Sequence, residues 1–177
     1  MKVRVLSWNI NSVRLRIDSL LSIIKEYRPN VVCIQETKCP NDQYPYEEFH
    51  KVGLKNVHSN GIKGYHGVSI ATDLDVKKVE QKNFCGKRDG RHLALTLNTN
   101  NKPITIHNFY VPAGGDEPDP KINDKFKHKL DFLNEATQWF SSKKNRKDLL
   151  LLVGDLNIAP HENDVWSHKQ LLKIVSH

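Results

Sequence analysis

The 177-residue sequence predicts a layered α/β (α+β) sandwich. Two observations predict it. Segments that alternate with a two-residue period are interleaved with segments whose apolar residues recur at helical spacing. Three apolar, strand-length runs each end on a carboxylate or carboxamide, and in such folds ligand groups gather at strand ends.

Each element has its own signal. Val3 to Leu6 reads as a short strand running into Trp8 and Asn9. Ile17, Leu20, Leu21 and Ile24 trace an amphipathic helix that Pro29 closes. Val31 to Ile34 is wholly apolar, hence a buried strand, and leads through Gln35 to Glu36. Gly67 to Ala71 is a further strand. Leu93, Leu95 and Leu97 alternate with His92, Ala94 and Thr96, which predicts a strand with one better-buried face. Ile104 and Ile106 resume the alternation after an Asn-rich turn at 98–101, so a hairpin is expected. Pro112 to Pro120 is a loop. Phe126, Leu130, Leu133, Thr137 and Phe140 mark a second helix. Leu149 to Val153 reads as a third buried strand, running into Gly154-Asp155-Leu156-Asn157. If that end stays extended, Asp155 and Asn157 share one side and Leu156 faces the core. Trp166 to Val175 reads as helical. With no repeat and no linker, residues 1–177 are expected to form a single domain.

Composition narrows the function. The chain has 38% hydrophobic and 27% charged residues, which suits a globular protein. Lys and Arg number 27 against 20 Asp and Glu, a formal charge of +7. That balance favours a polyanionic partner such as nucleic acid and disfavours a small cationic substrate. The three cysteines form no CxxC pair and no Cys/His set at zinc spacing. Cys33, inside an apolar run, reads as a buried reduced thiol, so a cytoplasmic location is expected. The N-terminus has no signal-peptide pattern and no apolar run approaches 18 residues, so no membrane partner is expected.

Asn9, Glu36 and Asp155 stand at the ends of the three apolar runs. Oxygen donors without a Cys/His set suit a hard cation, Mg2+ or Mn2+. Any one of them alone also fits an ordinary polar strand end; three after three strands favour a site. Tyr110, taken alone, reads as a half-buried strand aromatic with a satisfied hydroxyl. Arg14, Lys38 and Arg91 are candidates for phosphate contact or for holding the acidic ligands, against the alternative of solvated surface charge. The basic run Lys143 to Lys147 reads as a solvated turn after a helix, where cations suit the C-terminal dipole. His66, His92 and His107 lie in or beside strands and read as structural.

Six segments, in order, resemble one family. They are Ser7-Trp8-Asn9-Ile10-Asn11-Ser12-Val13-Arg14, Gln35-Glu36-Thr37-Lys38, Gly64-Tyr65-His66-Gly67-Val68 with Asp89-Gly90-Arg91, Asn108-Phe109-Tyr110-Val111-Pro112, and Gly154-Asp155-Leu156-Asn157-Ile158-Ala159-Pro160. Together they resemble the exonuclease III and apurinic/apyrimidinic endonucleases of the endonuclease/exonuclease/phosphatase class. The resemblance implies a Mg2+-dependent nuclease, with Mn2+ able to substitute. Its partner would be duplex DNA, cut beside abasic sites and at 3′ ends in base excision repair. It implies Glu36 as the principal metal ligand with Asn9 beside it, and Asp155 and Asn157 completing the metal site. Asp155 would position or deprotonate the attacking water, Asn157 would stabilise the phosphoryl oxygens, and Tyr110 would donate toward the phosphate or leaving group. Arg14, Lys38 and Arg91 would face DNA.

The sequence departs from the family pattern in places. It contains no Ser-Asp-His, no later Leu-Asp segment and no Trp-rich loop, and Ala113 stands where some relatives carry an amide. A chain truncated at its C-terminus is therefore expected. It would have an incomplete second half of the sandwich, little or no activity alone and an open face through which it could oligomerise. Two alternatives remain at this point: a non-catalytic DNA-binding remnant of the fold, or a phosphodiesterase of the same class acting on another phosphoester.

Overall fold

The computed structural model describes residues 2–100, 102–142 and 149–177. The basic run at 143–147 and Asn101 of the expected turn lie outside the described residues. The chain divides into two compact units. The first contains β1 (Val5–Asn9), α1 (Ile17–Tyr27), β2 (Val31–Gln35), α2 (Tyr46–Lys51), β3 (Asn56–Asn60), β4 (Val68–Thr72), β5 (Val76–Glu80), β6 (His92–Leu97), β7 (Ile104–Tyr110) and β8 (Leu149–Asp155). The second contains the turn Phe84–Gly86, α3 (Asp124–Ser141) and α4 (His168–Leu171).

The first unit is a sandwich of two four-stranded mixed sheets, ordered β1-β2-β4-β3 and β5-β6-β7-β8. The β1–β2 and β7–β8 pairs are parallel and the others antiparallel. Side-chain alternation sorts β2 into two faces. Val31 and Cys33 join Val68, Ile70, Leu93, Leu95, Leu97 and Ile106 in the core between the sheets. Val32 and Ile34 point the other way, into a core with Leu20 and Ile24 of α1 and Phe49 of α2. Burying each such side chain contributes roughly 1.5–3 kcal/mol. Burial pushes the Cys33 thiol up to about 12, so it stays protonated. Helix α1 ends as Arg28 adopts a left-handed backbone (φ 46°) and donates its N–H to Ile24, one residue before Pro29.

Several expectations need correction. β1 starts at Val5, not Val3, and runs on through Asn9, because it pairs with β2 along its full length. β6 is buried on both faces at His92 and Ala94, and only Thr96 is less buried than the leucines opposite. β8 is an edge strand, not a buried one, with Leu149 56%, Leu150 47% and Leu152 39% exposed. Only its alternate residues Leu151 and Val153 pack on the inter-sheet core. Helix α2 and strands β3 and β5 gave no apolar signal in the sequence and are present nonetheless.

In the second unit, Asn123 caps α3 by accepting from the N–H groups of Lys125 and Phe126. The buried stripe of α3 differs from the expected one. Lys129 and Phe132 are its buried residues, while Leu130 is 41% exposed. Phe132 packs on Phe84 at 4.7 Å between ring centroids. The expected helix at 166–175 shrinks to the four residues of α4. Among the described residues, no helix is long and apolar enough to cross a membrane.

Candidate active site

Strand parity builds the site. Val5 and, four residues on, Asn9 share one face of β1. Ile106 and Tyr110 do so on β7, and Leu151 and Asp155 on β8. On β8 this face is apolar (Leu149, Leu151, Val153) up to Asp155, whereas on β1 and β7 it also carries Ser7 and Asn108 before it ends on Asn9 and Tyr110; Val5, Ile106, Leu151 and Val153 pack on the core between the sheets. The registers Asn9↔Gln35 and Tyr110↔Asp155 bring these ends level within each sheet. Glu36 has the wrong parity for this face, since Gln35 already occupies it. A left-handed backbone at Glu36 (φ 51°) redirects it, followed by another at Lys38 (φ 49°). Such conformations are uncommon for residues with a Cβ. Four backbone bonds hold them here: Ser12 N–H to Glu36, Val13 N–H to Thr37, Thr37 N–H to Gly67 and Lys38 N–H to His66, all at 2.8–3.1 Å.

The side chains converge on Asn9. Its Nδ2 donates to Glu36 Oε1 at 2.9 Å and to Asp155 Oδ2 at 2.8 Å. Lys38 Nζ lies 3.0 Å from Glu36 Oε2 and donates to Asn11 Oδ1. The Tyr110 phenol and the Glu36 carboxylate act on each other electrostatically. Burial alone would raise the Glu36 pKa. Asn9, Lys38 and the Tyr110 phenol, with the Lys38 charge, outweigh it and hold the carboxyl below its usual range. Tyr110 responds in the opposite sense: burial, then the Glu36 carboxylate, push the phenol up to about 12, against Arg91.

Two carboxylates share one amide here, with one ammonium beside them, which leaves one negative charge in excess. The donors are all oxygen or nitrogen of hard character, and among the described residues no group of three or more His, Cys, Asp or Glu is placed to hold a metal ion. Two carboxylates and little else fit a divalent cation that keeps most of its water, as Mg2+ does. Asn9 turns its Nδ2 toward the carboxylates, so ligation through its oxygen would need a half-turn of the amide.

Arg91 is buried beneath this cluster. Its Nε donates to Asp89 Oδ2 at 2.5 Å, its Nη1 to the Tyr110 carbonyl at 3.2 Å, and its Cζ lies 5.1 Å from the Tyr110 ring centroid. His66, read from the sequence as structural, lies beside it, with Nε2 at 2.9 Å from Arg91 Nη2. No periodicity or spacing marks His66 or Asp89; the only hint is that each lies in a segment of the family pattern. His92 and His107 are buried and bonded to each other at 3.0 Å.

Not every candidate joins this group. Arg14 is exposed and donates to Gln43 at 3.0 Å. Asn157 belongs to the second unit. There its left-handed backbone (φ 50°) breaks the extended course expected after Asp155, and Leu156 is 41% exposed rather than in the core. Asn157 Nδ2 donates to the Val111 carbonyl at 2.9 Å. The buried Lys129 ammonium donates to the carbonyls of Asn157, Val175 and Ala113 at 2.6, 2.9 and 3.2 Å.

Known proteins are similar to this chain in sequence and fold. The chain is 29% identical over 165 residues to exodeoxyribonuclease III of Haemophilus influenzae, covering 92% of this chain and 60% of that protein. It is 25% identical over 171 residues to an exodeoxyribonuclease of Bacillus subtilis, covering 94% and 63%. The chain thus spans about 60% of the length of these two curated relatives. An AP endonuclease from Archaeoglobus fulgidus superposes with a TM-score of 0.87 at 27% identity, over 99% of this chain and 65% of that one. A 3′ phosphatase from Neisseria, bound to product DNA hairpin, shares the fold with a TM-score of 0.85 at 24% identity, over 98% and 65%. Residues 6–174 match the model of the endonuclease/exonuclease/phosphatase family, and the chain belongs to that family.

Proposed function

We propose that the chain is a DNA-repair nuclease of the exonuclease III type, hydrolysing phosphodiesters of duplex DNA at abasic sites and 3′ ends with Mg2+ or Mn2+ as cofactor. The observation that supports this most is the amide of Asn9 joining Glu36 to Asp155. Glu36, Asn9 and Asp155 would hold the ion. When bound, it supplies positive charge against the charge that develops on the phosphoryl oxygens.

The chain's own groups do the rest. Asp155 takes the proton of the water that attacks phosphorus. Tyr110, with its phenol raised to about 12, keeps its proton at neutral pH and turns its hydroxyl to a phosphate oxygen. Lys38 and Arg14 meet backbone phosphates, and Arg91 supports the Tyr110 ring from below.

Single-turnover incision of a duplex with one central abasic site, with protein in excess and Mg2+ present, tests the reading. A metal-dependent cut beside the lesion that Asp155→Asn removes supports it. Equal hydrolysis of a small phosphodiester ester, or a cut indifferent to Asp155→Asn, contradicts it.

A further inference from the structure

We propose that His66 is a positioning residue, which fixes Tyr110 by holding Arg91 against it as a neutral imidazole in one tautomer. The inference rests on the reading of Tyr110 as the group that meets the phosphate.

The hydrogen inventory assigns the tautomer. His66 Nδ1 lies 3.2 Å from the Asp89 carbonyl, and its Nε2 lies 2.9 Å from Arg91 Nη2. A carbonyl only accepts and a guanidinium only donates. The ring therefore carries its hydrogen on Nδ1 and a lone pair on Nε2. A second proton, on Nε2, would oppose the guanidinium and break that bond. Burial and the Arg91 charge lower the His66 pKa, consistent with the neutral form.

The contacts form a closed loop. Asp89 holds Arg91 Nε with its carboxylate and His66 Nδ1 with its carbonyl. Arg91 in turn bonds the Tyr110 carbonyl, and its own carbonyl accepts the Tyr110 N–H at 2.9 Å. The His66 ring stands 5.8 Å from the Tyr110 ring, tilted by 46°. The phenol thus has imidazole and guanidinium for neighbours. The His66 carbonyl accepts from Lys38 N–H at 2.9 Å, so the same residue also fixes the backbone next to Glu36. A histidine that only filled space would need neither tautomer nor either partner. With both ring nitrogens engaged, the ring cannot turn over without losing two bonds, and Arg91 cannot leave Tyr110 without depriving Nε2 of its donor.

Two nuclear magnetic resonance readouts test the proposal without turnover. In the 15N-labelled chain at neutral pH, His66 is expected to show a protonated Nδ1 and an unprotonated Nε2, and Arg91→Met is expected to leave Nδ1 protonated while shifting the Nε2 resonance as its bond is lost. With 3-fluorotyrosine at position 110, His66→Phe keeps the ring but removes both bonds. It is expected to shift or split the single 19F line, whereas His66→Gln, whose amide oxygen can accept from Arg91, keeps the line in place. An Nε2–H tautomer in the unsubstituted chain overturns the proposal, as does an unmoved line in a folded His66→Phe variant. A duplex carrying an abasic analogue, added to the labelled unsubstituted chain, tests the underlying reading separately. No response at Tyr110 would sink its substrate role, while the tautomer and the His66→Phe result are read without DNA.

Discussion

Replacing Asn108 by leucine is expected to destabilise the protein by roughly 3 kcal/mol. Asn108 is fully buried between the sheets, two residues before Tyr110. Its Nδ2 donates to the carbonyls of Ile34 and Ser69, both at 2.9 Å, and its Oδ1 accepts from Gln35 Nε2 at 2.7 Å. One side chain of β7 thereby joins β2 and β4 of the opposite sheet. Leucine has similar volume and no polar atom, so all three bonds are lost without a cavity. Each net bond contributes about 0.5–1.5 kcal/mol, and the groups left behind are buried. Gln35 retains its weaker contacts to Ser7 Oγ at 3.2 Å and the Cys33 carbonyl at 3.3 Å, which keeps the sum below the upper limit. In a chain of this length each kcal/mol moves Tm by about 2–4 °C, so a fall of roughly 6–12 °C is expected. Thermal unfolding followed by circular dichroism measures it. A fall of under about 2 °C would show that apolar contact alone joins the sheets and that this polar bridge is dispensable.

Three further outcomes are expected. The His66 pKa is lowered by burial and by Arg91, so its contribution to stability is complete above the ordinary histidine pKa of about 6.5 and declines as pH falls through it. Between pH 8 and 5 the unsubstituted chain should therefore lose more stability than His66→Gln, and equal losses in urea titrations would refute the assignment. Affinity for an abasic-analogue duplex should fall roughly 10–40-fold between 50 and 200 mM salt if two or three phosphates are contacted. Lys38→Gln should flatten that slope in fluorescence anisotropy, and salt-independent binding would contradict the proposed contact. The family resemblance implies a catalytic histidine in a Ser-Asp-His segment that these 177 residues do not contain, and members of one catalytic unit act together. Incision by this chain should accordingly be at least ~100-fold slower than by one extended through such a segment, and rates within about tenfold, ~1.4 kcal/mol in barrier, would show that segment to be dispensable.

What could be read from the sequence follows from which signals are local. The ends of β1, β2 and β8 were readable because an apolar run stops at Asn9, Glu36 and Asp155. That pattern also led to the wrong burial for β8. An edge strand whose alternate leucines are exposed has the same composition as a central one, and its place at the edge is decided by pairing alone. Strand β3, Asn-Val-His-Ser-Asn, and strand β5, Val-Lys-Lys-Val-Glu, carry too few apolar residues to announce themselves. Lys129 was invisible as a buried residue because its burial depends on three carbonyls, those of Ala113, Asn157 and Val175. Within the site, Asn9, Glu36, Tyr110 and Asp155 came from strand ends and family resemblance. The redirecting left-handed turn at Glu36 and the Asp89–His66–Arg91 loop arise from contacts between distant segments, which neither composition nor period records.

The central claim is that Asn9, Glu36 and Asp155 together form a divalent-cation site. Titrating Mn2+ into the chain and following the paramagnetic broadening of backbone resonances tests it most directly. The broadening is expected to centre on residues 9–11, 36–38 and 155, to be abolished by Glu36→Gln and to be weakened by Asp155→Asn. Broadening centred elsewhere, or the same response in Glu36→Gln, would contradict it.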